Sequence, residues 1–292
     1  MQLAPGVYMV PGASGTADSH NLGRIGNAGF IVGESGVIAV DTGTSYAHGQ
    51  ALLAAIRSVT DQPVRLAIVT HTRPEFLFGG AAFREHAIPV RMHRRTAALM
   101  ASRCETCLKT LRQTLGDAAM RGTTIYKADQ EYEATHDLQL IGRTVRVLSF
   151  GHSSGPGDSA VLDLHSGVLF AGGLLDVQRI PDIQDSDLGG WKKALHELRM
   201  LGSPLAVGTP RVTRFVPGHG PAARAHAVDE VDRYLVALEA NVRALLAAGT
   251  SLLDVPEACE LPAYEGWDQY DTIHRRNASV AFLRFERELM FK

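Results

Sequence analysis

Three histidines stand where an apolar run ends and a glycine-bearing turn begins: His71 in "IVTHTRPEFLFGG", His152 in "LSFGHSSGPGDS" and His219 in "FVPGHG". Imidazoles held at strand ends can ligate a divalent ion, or carry a proton near neutral pH. The stretch Val69 to Phe83, "VTHTRPEFLFGGAAF", has the frame of a metal-binding loop, with a strand leading to Thr70-His71 and a glycine pair at Gly79-Gly80 before a helix. Between those ends stand Arg73, Glu75 and Phe76, and only Glu75 can donate electrons to a metal. Arg73 stays protonated under ordinary conditions and repels a cation. It either pairs with Glu75 inside the pocket or clamps an anionic ligand there. The aromatic Phe76 closes space and offers a metal nothing.

The elements that must position these residues come in two comparable halves. Val7 to Val10, Phe30 to Val32 and Val37 to Val40 read as strands, with "GESG" at 33 to 36 as a hairpin turn. A helix follows "DTG" at 41 to 43, and Val64 to Thr70 is the next strand. The second half repeats the order: strands Leu138 to Ile141, Thr144 to Phe150, Ser159 to Asp163 and Val168 to Ala171, a helix from about Leu188 to Leu201, then strand Arg214 to Val216. Long helices are expected over Arg94 to Met120, where Gly116 can break the run, and over Ala227 to Ala248, whose apolar residues keep a 3.6-residue period. Pro11 to Ala28, rich in Gly, Ser and Asn, reads as a mobile loop that roofs a pocket. Asp41 is placed to orient the His71 loop by hydrogen bonding.

In that order, "VDTG", "THTRPEFLFGG", "GHSSGPGDSAVLD", "LFAGGLLD" and "VPGHG" resemble the metallo-β-lactamase superfamily, in which a T-H-x-H-x-D-H loop, a later G-H, an F-x-G-D and a G-H-G supply a two-zinc site. The resemblance implies a four-layer αβ/βα sandwich, an α/β fold, formed by residues 1–292 as a single domain with a C-terminal helical extension from about 227. It places His71, His152 and His219 on ligand positions, Arg73 on that of the second histidine, Glu75 on that of the aspartate, Phe76 on that of the next histidine and Gly173 on that of the bridging aspartate. Four of the seven positions are therefore changed. "DTG", "FGGAAF", "FAGGLL", "GGW" and the C-terminal "HRRN" are similar to the quinoprotein relay system zinc metallohydrolases, a branch usually exported and tied to periplasmic oxidation.

Carried over in this way, the ligand set is degenerate. A second zinc loses its histidine at Phe76 and its bridge at Gly173. His71, His152 and Glu75 leave a weak site for at most one zinc, with His219 beside it, so zinc is expected to be substoichiometric or absent. Two functions follow. One is a weakened or inactive hydrolase binding a small anionic ligand through Arg73 and the histidines, with a protein partner in an oxidation pathway. The other is an active mononuclear hydrolase of an ester, thioester or amide with Glu75 and Arg73 at the reacting centre. Asp158, Asp176 and Asp185 are further carboxylates able to substitute as ligands, with no geometry for it given by the sequence. Cys104 and Cys107 share one face of a helix, read as packed thiols ahead of a redox pair or half a zinc site.

Composition narrows the partners. A formal net charge of -2, a pI near 6.6 and no long run of one sign carry no nucleic-acid footprint. No segment approaches the roughly 20 apolar residues of a membrane span. The N-terminus shows no signal peptide, which suits a cytoplasmic chain or a periplasmic one whose export signal is removed.

Overall fold

The computed structural model describes residues 1–204 and 211–291. Two sheets pack face to face with helices on both outer faces. The first sheet orders its strands by chain position: β1 Gln2–Ala4, β2 Val7–Val10, β3 Ala28–Val32, β4 Val37–Val40, β5 Val64–Val69, β6 Val90–His93 and β7 Gln130–Tyr132. It is antiparallel up to β4 and parallel beyond, because helices α1 (Tyr46–Arg57) and α2 and α3 (Pro74–Leu77, Gly80–Glu85) carry the chain back before β5 and β6, and α4 (Arg94–Leu115) follows. The second sheet runs β12-β11-β10-β9-β8, with β8 His136–Leu138, β9 Val145–His152, β10 Pro156–Asp163, β11 Val168–Asp176 and β12 Arg214–His219. In this sheet, among the described residues, only β11 and β12 pair in parallel, joined through α5 (Leu188–Gly202).

Three apolar clusters make the layers. Ile31, Ile38, Ile68, Val147, Val161 and Phe170 meet between the sheets. Leu52, Leu53, Phe83, Met100 and Leu111 cover the outside of the first sheet, while Trp191, Leu195, Val231, Leu235 and Phe282 cover the outside of the second. The last group draws on α5, on α6 (His226–Ala247) and on α8 (Arg275–Met290), with α7 (Val255–Ala258) packed against α8. Helix α4 stops where Gly116 takes φ 84, a conformation open to glycine and costly elsewhere. No described helix is long and apolar enough to cross a membrane.

Sequence-level boundaries differ from the observed ones where glycine is common. The run "LFAGGLLD" continues as a fully buried strand to Asp176, and β12 continues to His219. Both strands therefore end at one sheet edge, with Asp176 and His219 in register.

Candidate functional site

The loop after β5 brings His71, Arg73, Glu75 and Phe76 to that edge. Its entry is fixed from behind: Asp41, at the end of β4 with φ 57, accepts hydrogen bonds from the Thr70 backbone N–H at 2.8 Å and from its hydroxyl. A non-glycine residue rarely takes such a φ, and here the bonds to Thr70 hold it. Burial pushes the Asp41 carboxyl up to about 7, although the bonds from Thr70 pull the other way.

His71 is buried, and its Nδ1 accepts the Arg73 backbone N–H at 3.0 Å. A neutral ring with Nδ1 spent in this way carries its proton on Nε2, which faces Asp158 Oδ1 at 3.3 Å. Burial holds His71 below the usual histidine range, partly offset by Asp158. The other oxygen of Asp158 takes the Ser153 and Ser154 hydroxyls, each at 2.6 Å, and the Gly155 N–H at 2.9 Å, so the "SSGPGD" turn closes on its own carboxylate.

His219 lies on the other side of Phe76. Its Nδ1 is 2.7 Å from Asp176 Oδ1 and its Nε2 is 3.2 Å from Glu75 Oε1. Burial opposes a charge there, but the two carboxylates outweigh it and raise His219 above the ordinary value. The reciprocal effect is large: burial pulls Glu75 upward, yet His219 and Arg73 hold it at about 2, and Asp176 is likewise lowered against its burial. Arg73 reaches across with Nη1 3.7 Å from Asp176 Oδ2 and Nη2 donating to the Asp182 carbonyl at 3.0 Å. The Phe76 ring is fully buried between the histidines, edge-on to His71 with centroids 5.7 Å apart and to His219 at 5.5 Å.

Gly173, in the middle of β11, faces this group. A Cβ there would lie 2.2 Å from His71 Cδ2 and 2.7 Å from its Nε2, so the His71 ring occupies the space a side chain would need. The loop between β2 and β3 closes the same edge: Asn27 donates to the Pro217 and Gly220 carbonyls, each at 2.9 Å, and its backbone N–H to Gly218 O.

His152 stands outside this group. Its side chain is exposed and its Nε2 lies 2.7 Å from the Asp185 carbonyl, while Asp185 pairs with Arg103 at 2.7 Å. The cause is local. The β9–β10 ladder shifts register on both sides of Asp158, and Gly151 takes φ 71 just before His152. A one-residue irregularity reverses which side chains face inward, so Asp158 is buried at the edge that His152 was expected to occupy. Asp158 and Asp176 are the site residues for which sequence spacing supplied no geometry; the bulge beside Asp158 and the register of β11 with β12 supply it. A carboxylate ending a strand that is apolar throughout, as in "VLFAGGLLD", is the signal that could have found Asp176.

Four buried atoms at this edge make no aligned hydrogen bond: His71 Nε2, Asp158 Oδ1, Asp176 Oδ2 and His219 Nε2. Among the described residues, no three His, Cys, Asp or Glu side chains stand together as they would around one metal ion. Cys104 and Cys107 are free thiols on α4, Cys104 buried in the outer cluster of the first sheet. The neighbouring Cys104 thiol lowers the Cys107 thiol to about 7, while Cys107 and burial raise Cys104.

Residues 22–219 match the profile of the Metallo-beta-lactamase superfamily. Solved structures with the same fold include a metallo-beta-lactamase from Pontibacter korlensis, 19% identical with TM-score 0.65, over 81% of this chain and 97% of that one. FIM-1 from Pseudomonas aeruginosa, in its mono-zinc form, is 18% identical with TM-score 0.60, over 80% and 93%. The enzyme from Hirschia baltica is 19% identical with TM-score 0.61, over 80% and 96%. No curated protein matches in sequence. The chain belongs to the metallo-beta-lactamase superfamily.

Proposed function

We propose that this member of the metallo-beta-lactamase superfamily has exchanged a dinuclear zinc centre for a buried charge network, and that it is a weakened or inactive hydrolase binding a small anionic ligand. The observation that carries this reading is the occupation of the centre by protein groups. The Arg73 guanidinium stands 3.7 Å from Asp176, and Phe76 fills the space between His71 and His219. Burial works against the Arg73 charge, but Asp182, Asp176 and Glu75 overcome it, so a fixed cation sits where divalent ions would have to enter. Phe76 and Gly173 add no donor, and the His71 ring leaves no room for a side chain at position 173. These residues do not fit a two-zinc centre.

Arg73 is the most exposed charged member of the network, with its side chain 17% exposed against 12% for Glu75, 3% for His219 and 1% for Asp176. An anion arriving from outside meets that guanidinium first. The similarity of "DTG", "FGGAAF", "FAGGLL", "GGW" and "HRRN" to the quinoprotein relay branch supports a place beside a periplasmic oxidation system, with a protein partner there. Metal analysis of chelator-free protein, combined with turnover of an activated ester in added zinc, tests the reading. It expects little metal and little turnover.

A second reading, a mononuclear metal-dependent hydrolase, draws on the unaligned atoms. His71 Nε2 with Asp158 Oδ1 at 3.3 Å, and His219 Nε2 with Glu75 Oε1 at 3.2 Å, are separated like neighbouring ligands of a tetrahedral ion, about 3.3 Å apart for bonds of about 2.0 Å. Each pair offers two donors where a catalytic zinc needs three. We therefore rank this reading second.

A further inference from the structure

A cavity of about 150 Å³ lies between the Pro11 to Ala28 loop and the start of α1 and shares only Glu75 with the network above. Its walls are mostly apolar, with Val10, Ala28 and Leu52 among them. Two of its polar residues are already satisfied: the Thr42 hydroxyl donates to Phe76 O and Leu77 O, and the Thr44 hydroxyl to Gly23 O. The Glu75 carboxylate is engaged by His219. That leaves His48 and Arg24.

His48 is only 8% exposed, and its Nδ1 is buried without a hydrogen-bond partner. Leaving such a group unmet costs roughly 1–3 kcal/mol, so it marks a place where something else completes the bond. Burial first, and the Arg24 charge second, hold this imidazole down at about 4, which leaves it neutral near pH 7 and able to donate one N–H. Arg24 makes no side-chain hydrogen bond or ion pair among the described residues, and it is exposed at the loop. The cavity thus presents a free guanidinium and a neutral imidazole beside the engaged Glu75 carboxylate, and its remaining lining is mostly hydrocarbon.

We infer that this cavity binds a small monocarboxylate with a ring-sized apolar body, its carboxylate held by Arg24 and His48 and its body packed against Val10, Ala28 and Leu52. The size sets the class, since an apolar cavity of about 150 Å³ accepts a benzene ring and little more. The sign of the charge follows from Arg24, whose planar fork matches a carboxylate. Glu75 on a neighbouring wall disfavours a second negative charge on the ligand and directs the single one toward Arg24. The inference rests on the small-anion class of ligand proposed above but not on its place at Arg73, and puts the ligand on the other side of Glu75.

The test titrates benzoate into the full chain at pH 7 by calorimetry, with benzyl alcohol as the neutral comparison and Arg24→Gln, His48→Phe and Arg73→Gln as variants. His48→Phe keeps the ring's bulk, and Arg24 is at the surface, so both variants should fold; their circular dichroism is recorded to check this. Saturable benzoate binding is expected, weakened about tenfold or more in Arg24→Gln and in His48→Phe, retained in Arg73→Gln, and much weaker for benzyl alcohol. Binding lost in Arg73→Gln and kept in Arg24→Gln would overturn the inference and leave the anion reading at Arg73 standing. No benzoate binding, or equal binding of benzyl alcohol, would overturn the inference as well; metal content then decides the first reading independently.

Discussion

His219 is held between two carboxylates, Asp176 at 2.7 Å on Nδ1 and Glu75 at 3.2 Å on Nε2, so one imidazole ties the end of β12 to both the end of β11 and the loop after β5. The Glu75 carboxyl, at about 2 against an ordinary 4.5, contributes stability that is complete above about pH 4.5 and lost as pH falls toward 2. His219, raised, contributes stability that is present below its ordinary 6.5 and lost as pH rises through its folded value. Glu75→Gln should therefore remove much of the acid-side slope of unfolding free energy, on the order of 3 kcal/mol between pH 5 and 2 at most. Urea melts of both proteins across that range measure it. Parallel pH curves would show that Glu75 is not coupled to His219.

Arg73→Ala should cost stability by about 1–3 kcal/mol, since it leaves Asp176 with one buried charged partner fewer. The same change removes the fixed cation and should raise zinc affinity about tenfold or more, read by competition with a chromophoric chelator. Unchanged stability together with unchanged zinc affinity would mean that the guanidinium takes no part in the network.

A Cβ at position 173 would collide with the His71 ring at 2.2 Å. Gly173→Ala alone should destabilise the protein by about 1–3 kcal/mol through overpacking, and should shift the His71 ring resonances. Gly173→Asp combined with Arg73→His, Glu75→Asp and Phe76→His gives the ring room to move and supplies the missing donors. That quadruple variant should bind zinc far more tightly than the sum of its single changes implies. A folded quadruple variant that takes up no zinc would show that the backbone no longer presents these positions at metal-ligand distances.

The sandwich was legible because each strand ends in a motif of fixed order and each covering helix keeps its apolar stripe, as in Val228, Val231, Leu235, Leu238 and Val242. His71 and His219 were legible for the same reason, as strand-end histidines. The role of Asp158 was not. Whether Asp158 or His152 faces inward depends on a bulge between β9 and β10, and a bulge leaves no mark in periodicity beyond a glycine such as Gly151. Asp176 was discounted because its partner His219 lies 43 residues away and the two meet only through strand register. The network's protonation, above all a raised His219 beside a lowered Glu75, follows from burial that no local pattern encodes.

Whether the buried network has replaced a dinuclear zinc centre is tested most directly by metal stoichiometry. Protein purified without chelators, incubated with excess zinc near neutral pH and desalted should retain well under one zinc per chain by plasma mass spectrometry. Two tightly held zinc ions per chain would contradict the replacement outright. One per chain would transfer support to the mononuclear hydrolase.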